Sequence, residues 1–305
     1  MVRQLADRVR RHRWAREASA VLRAVAGEWR NDRLPDLAAG VAFWVSLSVF
    51  PLLISVAAGL GVIEALAGAE ASARTEDAVL DVLDGVLGGE QGADLVEAVR
   101  SLFDSSSTGV LTFGLLGALY TGSRGVAGVV RALDVAYDLP ESRGWLATRL
   151  VGLAIAVGSV VTGTALVAMV VLGPLLGGGE AVADSIGLGG GFAFIWDNLR
   201  GPVAFVVVVT WAATVFHIGP NRRTPWRSDL PGAVLTASGW IVVSLGFRVY
   251  LEVAAAGNQV LGVLGGGLVL LLWLYLLSVV LLLGGELNAV LIERRSSAGA
   301  AEGGE

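Results

Sequence analysis

Six long apolar stretches alternate with polar segments along the chain. A helix needs roughly 20 mostly apolar residues to cross the hydrocarbon of a bilayer. The stretches run over about residues 37–63, 109–130, 150–176, 202–218, 231–253 and 260–285. The pattern predicts an all-α fold, a polytopic membrane bundle of six transmembrane helices over residues 37–293. The first stretch is too long, and begins too far along the chain, for a cleaved signal sequence. It is expected to stay in the mature protein.

The segments between the stretches carry their own patterns. Residues 1–36 form a basic amphipathic arm, with Leu5, Val9, Trp14, Val21, Leu22, Val25 and Trp29 spaced among its charges. A helix of this kind suits the anionic surface of a membrane, a reading favoured over nucleic-acid binding because a span follows directly. The insertion at 64–108 holds ten acids between Glu64 and Asp104. Its apolar residues Leu80, Leu83, Val86 and Leu87, then Leu95, Val99 and Leu102, recur at helical spacing. Two short helices broken at Gly88-Gly89 are expected, as a solvated cap or as an acidic vestibule that concentrates cations. Residues 294–305 are expected to be a disordered tail.

The distribution of charge orients the bundle. All 22 basic residues are arginine. Nine precede the first span and three follow the second (Arg131, Arg143, Arg149). Three more follow the fourth (Arg222, Arg223, Arg227), and two close the sixth (Arg294, Arg295). The opposite loops hold Arg74, Arg100 and Arg200. Arginine accumulates on the cytoplasmic side, so both termini are expected in the cytoplasm and the acidic insertion outside. The composition agrees: 54% of the residues are hydrophobic and 16% charged, against about 25% charged in soluble domains.

Candidate chemistry is sparse. With no cysteine and two histidines, His12 and His217, thiolate catalysis and disulfides are excluded, and no catalytic residue, metal site or cofactor is expected. Glycines recur along span two (Gly114, Gly117, Gly125, Gly128) and span five (Gly232, Gly239, Gly246). Small residues let helices approach closely in lipid, so both rows are read as packing seams. Polar groups at membrane depth are costly, and are read either as structural pairs and side chains snorkelling to the interfaces or as a polar pathway through the bundle. These are Arg124 on span two, Arg248 and Glu252 four apart on span five, and Glu286 with Asn288 at the inner end of span six. Arg124 and Glu286 fall at a similar inner level, which makes them candidates to pair. Pro51 interrupts span one after Ser46 and Ser48; it should kink the helix, and the hydroxyls can bond the carbonyl it frees.

Several of these segments carry a resemblance. Ala39 through Leu53, with its Ser46-Leu-Ser48-Val-Phe-Pro51 core, is one. Others are Arg124 through Tyr137 (RGVAGVVRALDVAY) and Pro220 through Gly232. The most specific is Leu272-Trp273-Leu-Tyr275-Leu-Leu-Ser278, continuing to Gly284-Gly285-Glu286-Leu-Asn288. The chain resembles the YihY/BrkB family of bacterial inner-membrane proteins, once labelled ribonuclease BN or virulence factor BrkB. It departs at Ala254–Gly262, where the family usually has an aromatic-containing turn. The resemblance implies six spans and a place in the cytoplasmic membrane, and it brings no mechanism. The expected function is a transporter, channel or lipid-handling protein of unidentified substrate, and not an enzyme. A membrane enzyme acting on a lipid or envelope substrate, or a scaffold, are the alternatives. The ribonuclease label finds no support, because the inner loops offer Asp134, Asp138, Glu141 and Asp229 with His217 standing alone. The expected partners are membrane lipids and a small-molecule or lipid substrate, no nucleic acid, with a homo-oligomer left open.

Overall fold

The computed structural model describes residues 19–49, 108–139, 144–167, 190–222, 224–255 and 263–302. Pro51 and the insertion up to residue 107 lie outside them. Every regular element among the described residues is helical. Helix α1 covers residues 19–31, α2 Leu34–Val49, α3 Thr108–Ala136 and α4 Trp145–Val167. Then come α5 (Gly190–Ile218), a 3₁₀ turn (Trp226–Asp229), α6 (Leu230–Ala255) and α7 (Val263–Glu302).

Three apolar segments, Asn198–Ile218, Trp226–Leu251 and Gly267–Ser297, are long enough to cross a membrane. Between 22% and 28% of the residues in their apolar windows are buried, so most of this surface is left for lipid. Leu34–Val49 and Ala147–Gly163 are apolar but shorter. A membrane helix bundle follows from these elements.

The junctions have local causes. Between α1 and α2, Arg33 takes a positive φ of 52°, and Pro35 follows in the first turn of α2, where its missing N–H costs nothing. At the end of α3, Asp138 takes φ 51°. The Leu139 N–H reaches back to the Asp134 carbonyl at 2.9 Å, and the Asp138 N–H to Val135 at 2.9 Å. This closes the helix with a left-handed residue, a conformation aspartate tolerates better than most.

Helix α7 overturns one expectation. Residues 294–302 continue the helix and are not a disordered tail. Arg294 donates to the Ala20 carbonyl at 2.8 Å, while Ser296 and Ser297 bond back to Ile292 and Glu293 at 3.0 Å. The last turns of α7 therefore lie against α1. The N-terminal arm and the C-terminal segment share one end of the bundle.

The core gathers at that same end. Leu34 and Ala38 of α2, Val130 and Leu133 of α3, Ala212 and Phe216 of α5, Ala233 of α6 and Leu282 of α7 form one buried cluster. Further along, the Trp211 and Trp240 rings meet at a tilt of 41° with centroids 5.4 Å apart, and the Trp211 indole donates to Ser159 of α4 at 3.1 Å. Trp240 donates to the Leu277 carbonyl of α7 at 2.9 Å.

The glycine rows divide. Added Cβ atoms on Gly125 and Gly128 would meet Val45 at 3.0 Å and Val41 at 3.3 Å, so this stretch of α3 is seated on α2. On α6, a Cβ at Gly239 would lie 2.5 Å from Val280, and one at Gly232 would overlap the Gly284 carbonyl. Gly246 faces open space and is no part of the seam. Gly114 and Gly117 lie on α3, where the Gly117 carbonyl accepts the Thr121 hydroxyl at 2.7 Å.

Candidate functional site

Beside the core, polar side chains are enclosed at the point where α6 begins. In its opening turn, Leu230-Pro231-Gly232, the Gly232 N–H is one of the backbone donors that a helix start leaves unpaired. The carboxamide of Asn288, reaching from α7, supplies what is missing. Its Oδ1 accepts the Gly232 N–H at 2.7 Å, and its Nδ2 donates to the Asp229 carbonyl at 3.0 Å. One fully buried side chain thus satisfies both a donor and an acceptor of another helix's first turn. Thr236 donates to the Gly232 carbonyl at 2.9 Å. Only glycine at 232 and 284 lets the two backbones come this close, since a Cβ at 284 would run into the Thr236 hydroxyl.

The Asp229 carboxylate, also fully buried, sits on the loop side of this crossing. Arg222 donates to its Oδ1, and its Oδ2 lies 3.2 Å from Nδ1 of His217 at the end of α5. The Arg222 guanidinium lies 3.9 Å above the ring of Tyr137, which follows α3. The Asn221 N–H donates to Asp134 of α3 at 3.3 Å. A buried charge is tolerated only when paired and hydrogen-bonded, and here the pair ties the ends of α3 and α5 to the start of α6. Burial pushes the Tyr137 hydroxyl above the ordinary tyrosine range, against the opposing pull of Arg222.

Glu286 completes the enclosure. It is 1% exposed, and its Oε2 has no hydrogen-bond partner among the described residues. The same holds for the Tyr137 hydroxyl, Nε and Nη1 of Arg222, and the Thr224 hydroxyl. Glu28, Asp32 and Asp138 stand close enough to Glu286 to act on it. Burial and the carboxylates of Asp138 and Glu28 raise the Asp32 carboxyl above its usual range. No group of three acids or histidines among the described residues is placed to hold a metal ion.

Measured against expectation, Glu286 and Asn288 belong to the site and Arg124 does not. Arg124 is exposed, bonded to the Tyr120 hydroxyl at 3.1 Å, with its guanidinium 5.4 Å from the Trp44 ring. The pairing of Arg124 with Glu286 is therefore corrected: a similar depth did not put them on facing sides of their helices. His217 does not stand alone either, since Asp229 holds it. Ser46 and Ser48 lie on α2, where Ser48 donates to the Val45 carbonyl at 2.6 Å. Arg248 is exposed on α6 with Glu252 four residues further along the helix; the Glu252 side chain lies outside the described set. Arg222, Asp229, Thr236, Tyr137 and Gly284 were not anticipated. The legible signal was Asp229 directly before Leu-Pro-Gly, an acid at a helix start.

The description "Virulence factor BrkB" belongs to the family model that matches residues 25–304. A ribonuclease-like protein, YfkH of Bacillus subtilis, is 31% identical over 271 residues, covering 84% of this chain and 90% of that protein. A UPF0761 membrane protein of Tolumonas auensis is 26% identical over 294 residues, 93% of this chain and 91% of its own length. One of Cronobacter sakazakii is 30% identical over 131 residues, 41% of this chain and 44% of that protein. No solved structure matches the chain.

Proposed function

The chain belongs to the BrkB family of membrane proteins, and on that premise we propose that it is a transporter, channel or lipid-handling protein working through the polar enclosure at the inner end of its bundle. The observation that carries the reading is the set of five buried polar atoms without hydrogen-bond partners among the described residues, on Tyr137, Arg222, Thr224 and Glu286. Each such atom costs about 1–3 kcal/mol if nothing meets it. Water or a substrate group met at this end of the bundle removes that cost, and Glu286, a buried carboxylate on an apolar span, is the kind of group that lines a substrate path. We place the protein in the cytoplasmic membrane with six spans and both termini inside. The arginine distribution and the contact of Arg294 with α1 support that arrangement.

The test is reconstitution of the full chain into vesicles, with transbilayer movement of fluorescent phospholipid and flux of ions and small solutes followed in parallel. Flux above protein-free vesicles, reduced in Glu286→Gln and Arg222→Gln proteins of unchanged helix content, is the expected result. No flux of any class, or flux indifferent to both substitutions, would remove the reading.

The His217–Asp229 contact favours one other reading, a membrane enzyme. An imidazole held by a buried carboxylate is the orienting half of a general base. Turnover of a membrane-lipid extract that disappears in His217→Ala would support it over transport.

A further inference from the structure

Away from the enclosure, a second cluster lies on the outer surface of α2, α3 and α4. The guanidinium of Arg124 bonds the Tyr120 hydroxyl at 3.1 Å and lies 5.4 Å from the Trp44 ring and 5.5 Å from that of Tyr120. Arg149, from α4, reaches Ser123 next to it at 3.4 Å. Both arginines are exposed. The same three helices expose apolar side chains: Phe43 and Leu47 on α2, Leu116 on α3, Leu150 and Leu153 on α4. None of the ion pairs among the described residues gives Arg124 a carboxylate.

This setting needs an anion. A cation within the apolar run of a membrane helix is disfavoured, and such groups persist where they find a counter-charge. The contacts Arg124 does make, a hydroxyl and two ring faces, orient the guanidinium without neutralising it. Aromatic rings of Trp and Tyr are the side chains that settle at headgroup level. Arginine's planar fork matches the oxygens of a phosphate. Basic pockets between membrane helices bind anionic headgroups by the same chemistry.

We propose that Arg124, Arg149, Ser123, Tyr120 and Trp44 form a binding site for the phosphodiester of an anionic phospholipid. The two guanidiniums take the phosphate oxygens, the Ser123 and Tyr120 hydroxyl oxygens hold the guanidiniums of Arg149 and Arg124 by accepting from them, and the exposed apolar residues receive the acyl chains. This site shares no residue with the polar enclosure and does not depend on transport.

The experiment is native mass spectrometry of the full-length protein in detergent, titrated with phosphatidylglycerol, phosphatidylcholine or inorganic phosphate. Wild-type protein is expected to retain phosphatidylglycerol in preference to phosphatidylcholine, whose choline offsets the phosphate charge. Arg124→Gln should weaken phosphatidylglycerol about tenfold, the loss of one charge-assisted hydrogen bond. Arg124→Lys, which keeps the charge and loses the fork, should fall between the two. Equal retention of both lipids, or of phosphatidylglycerol by wild type and Arg124→Gln, would overturn the site. Inorganic phosphate displacing the lipid at equal concentration would overturn the lipid as its source. Circular dichroism and gel filtration identify a misfolded Arg124→Gln; in that event Ser123→Ala, which removes a hydroxyl and leaves both charges, must still weaken phosphatidylglycerol, and an unchanged affinity would overturn the proposal.

Discussion

Gly232, Gly239 and Gly246 stand seven residues apart on one helix, yet the same substitution to alanine should have three different outcomes. At Gly232 the new methyl overlaps the Gly284 carbonyl and the Asn288 carboxamide. Backbone cannot rotate away, so α6 and α7 must separate. Overpacking costs about 1–3 kcal/mol, and the upper end applies where the obstacle is main chain. Stretching the 2.7 Å bond from Gly232 to Asn288 adds about 1 kcal/mol, and alanine's better helix propensity returns about 0.5–1 kcal/mol. The net loss for Gly232→Ala is about 3 kcal/mol. At Gly239 the obstacle is a methyl of Val280 at 2.5 Å. That side chain can turn at a cost of about 0.5–1.5 kcal/mol, so the net change is near zero to ~1 kcal/mol. At Gly246 nothing lies within 4 Å, and the propensity gain of about 0.5–1 kcal/mol remains alone. Unfolding in mixed micelles of dodecyl maltoside and increasing dodecyl sulfate, followed by tryptophan fluorescence, measures all three. Gly246→Ala costing as much as Gly232→Ala would refute the seam and the reasoning behind it.

Three further outcomes are expected. Asn288→Leu keeps the volume but strands a buried N–H on Gly232 and a buried carbonyl on Asp229, at about 1–3 kcal/mol each, read in the same unfolding assay. Arg222→Leu and Asp229→Leu should each cost about 3–5 kcal/mol, because each leaves the other charge buried and unpaired; the double variant should lose less than the two added together, and strict additivity would deny the pair. The Tyr137 hydroxyl is neutral in the folded protein above the pH at which an unfolded tyrosine ionises, about 10. Stability should therefore fall as pH rises past ~10, and Tyr137→Phe should flatten that fall in unfolding midpoints measured across the alkaline range.

Much of the architecture was legible because the bilayer makes strict demands on composition. The end at Ile218 of the run that became α5 and the start at Leu230 of α6 were located to within a few residues, whereas α7 continues to Glu302, well past the expected end near 285; Glu286 with Asn288 stood out as polar groups at the end of an unbroken apolar run. Rotation was not legible. Counting residues placed Arg124 and Glu286 at one level, but one helix turns its arginine outward to Tyr120 and the other turns its carboxylate inward. Nor was the Asp229 cluster legible, because its members come from segments far apart: Tyr137 stands after α3, Arg222 in a loop, and Asn288 lies 59 residues beyond Asp229. The same limit explains Gly246. A seven-residue repeat slips about 20° per repeat around a straight helix, so the third glycine leaves the contact that the first two make.

The position of Asn288 has a consequence for the order of assembly. Its amide closes the start of α6 from the last helix of the chain, and Leu281 and Leu282 of that helix fill the core begun by Leu34 and Leu133. During synthesis the earlier helices enter the membrane while this keystone is still inside the ribosome. Until it emerges, the Asp229 carbonyl and the Gly232 N–H have no carboxamide to meet. The end of the bundle around Asp229 is therefore completed at the close of translation, and a chain cut short before Asn288 keeps the contacts among α2–α6 but lacks the amide that closes the start of α6.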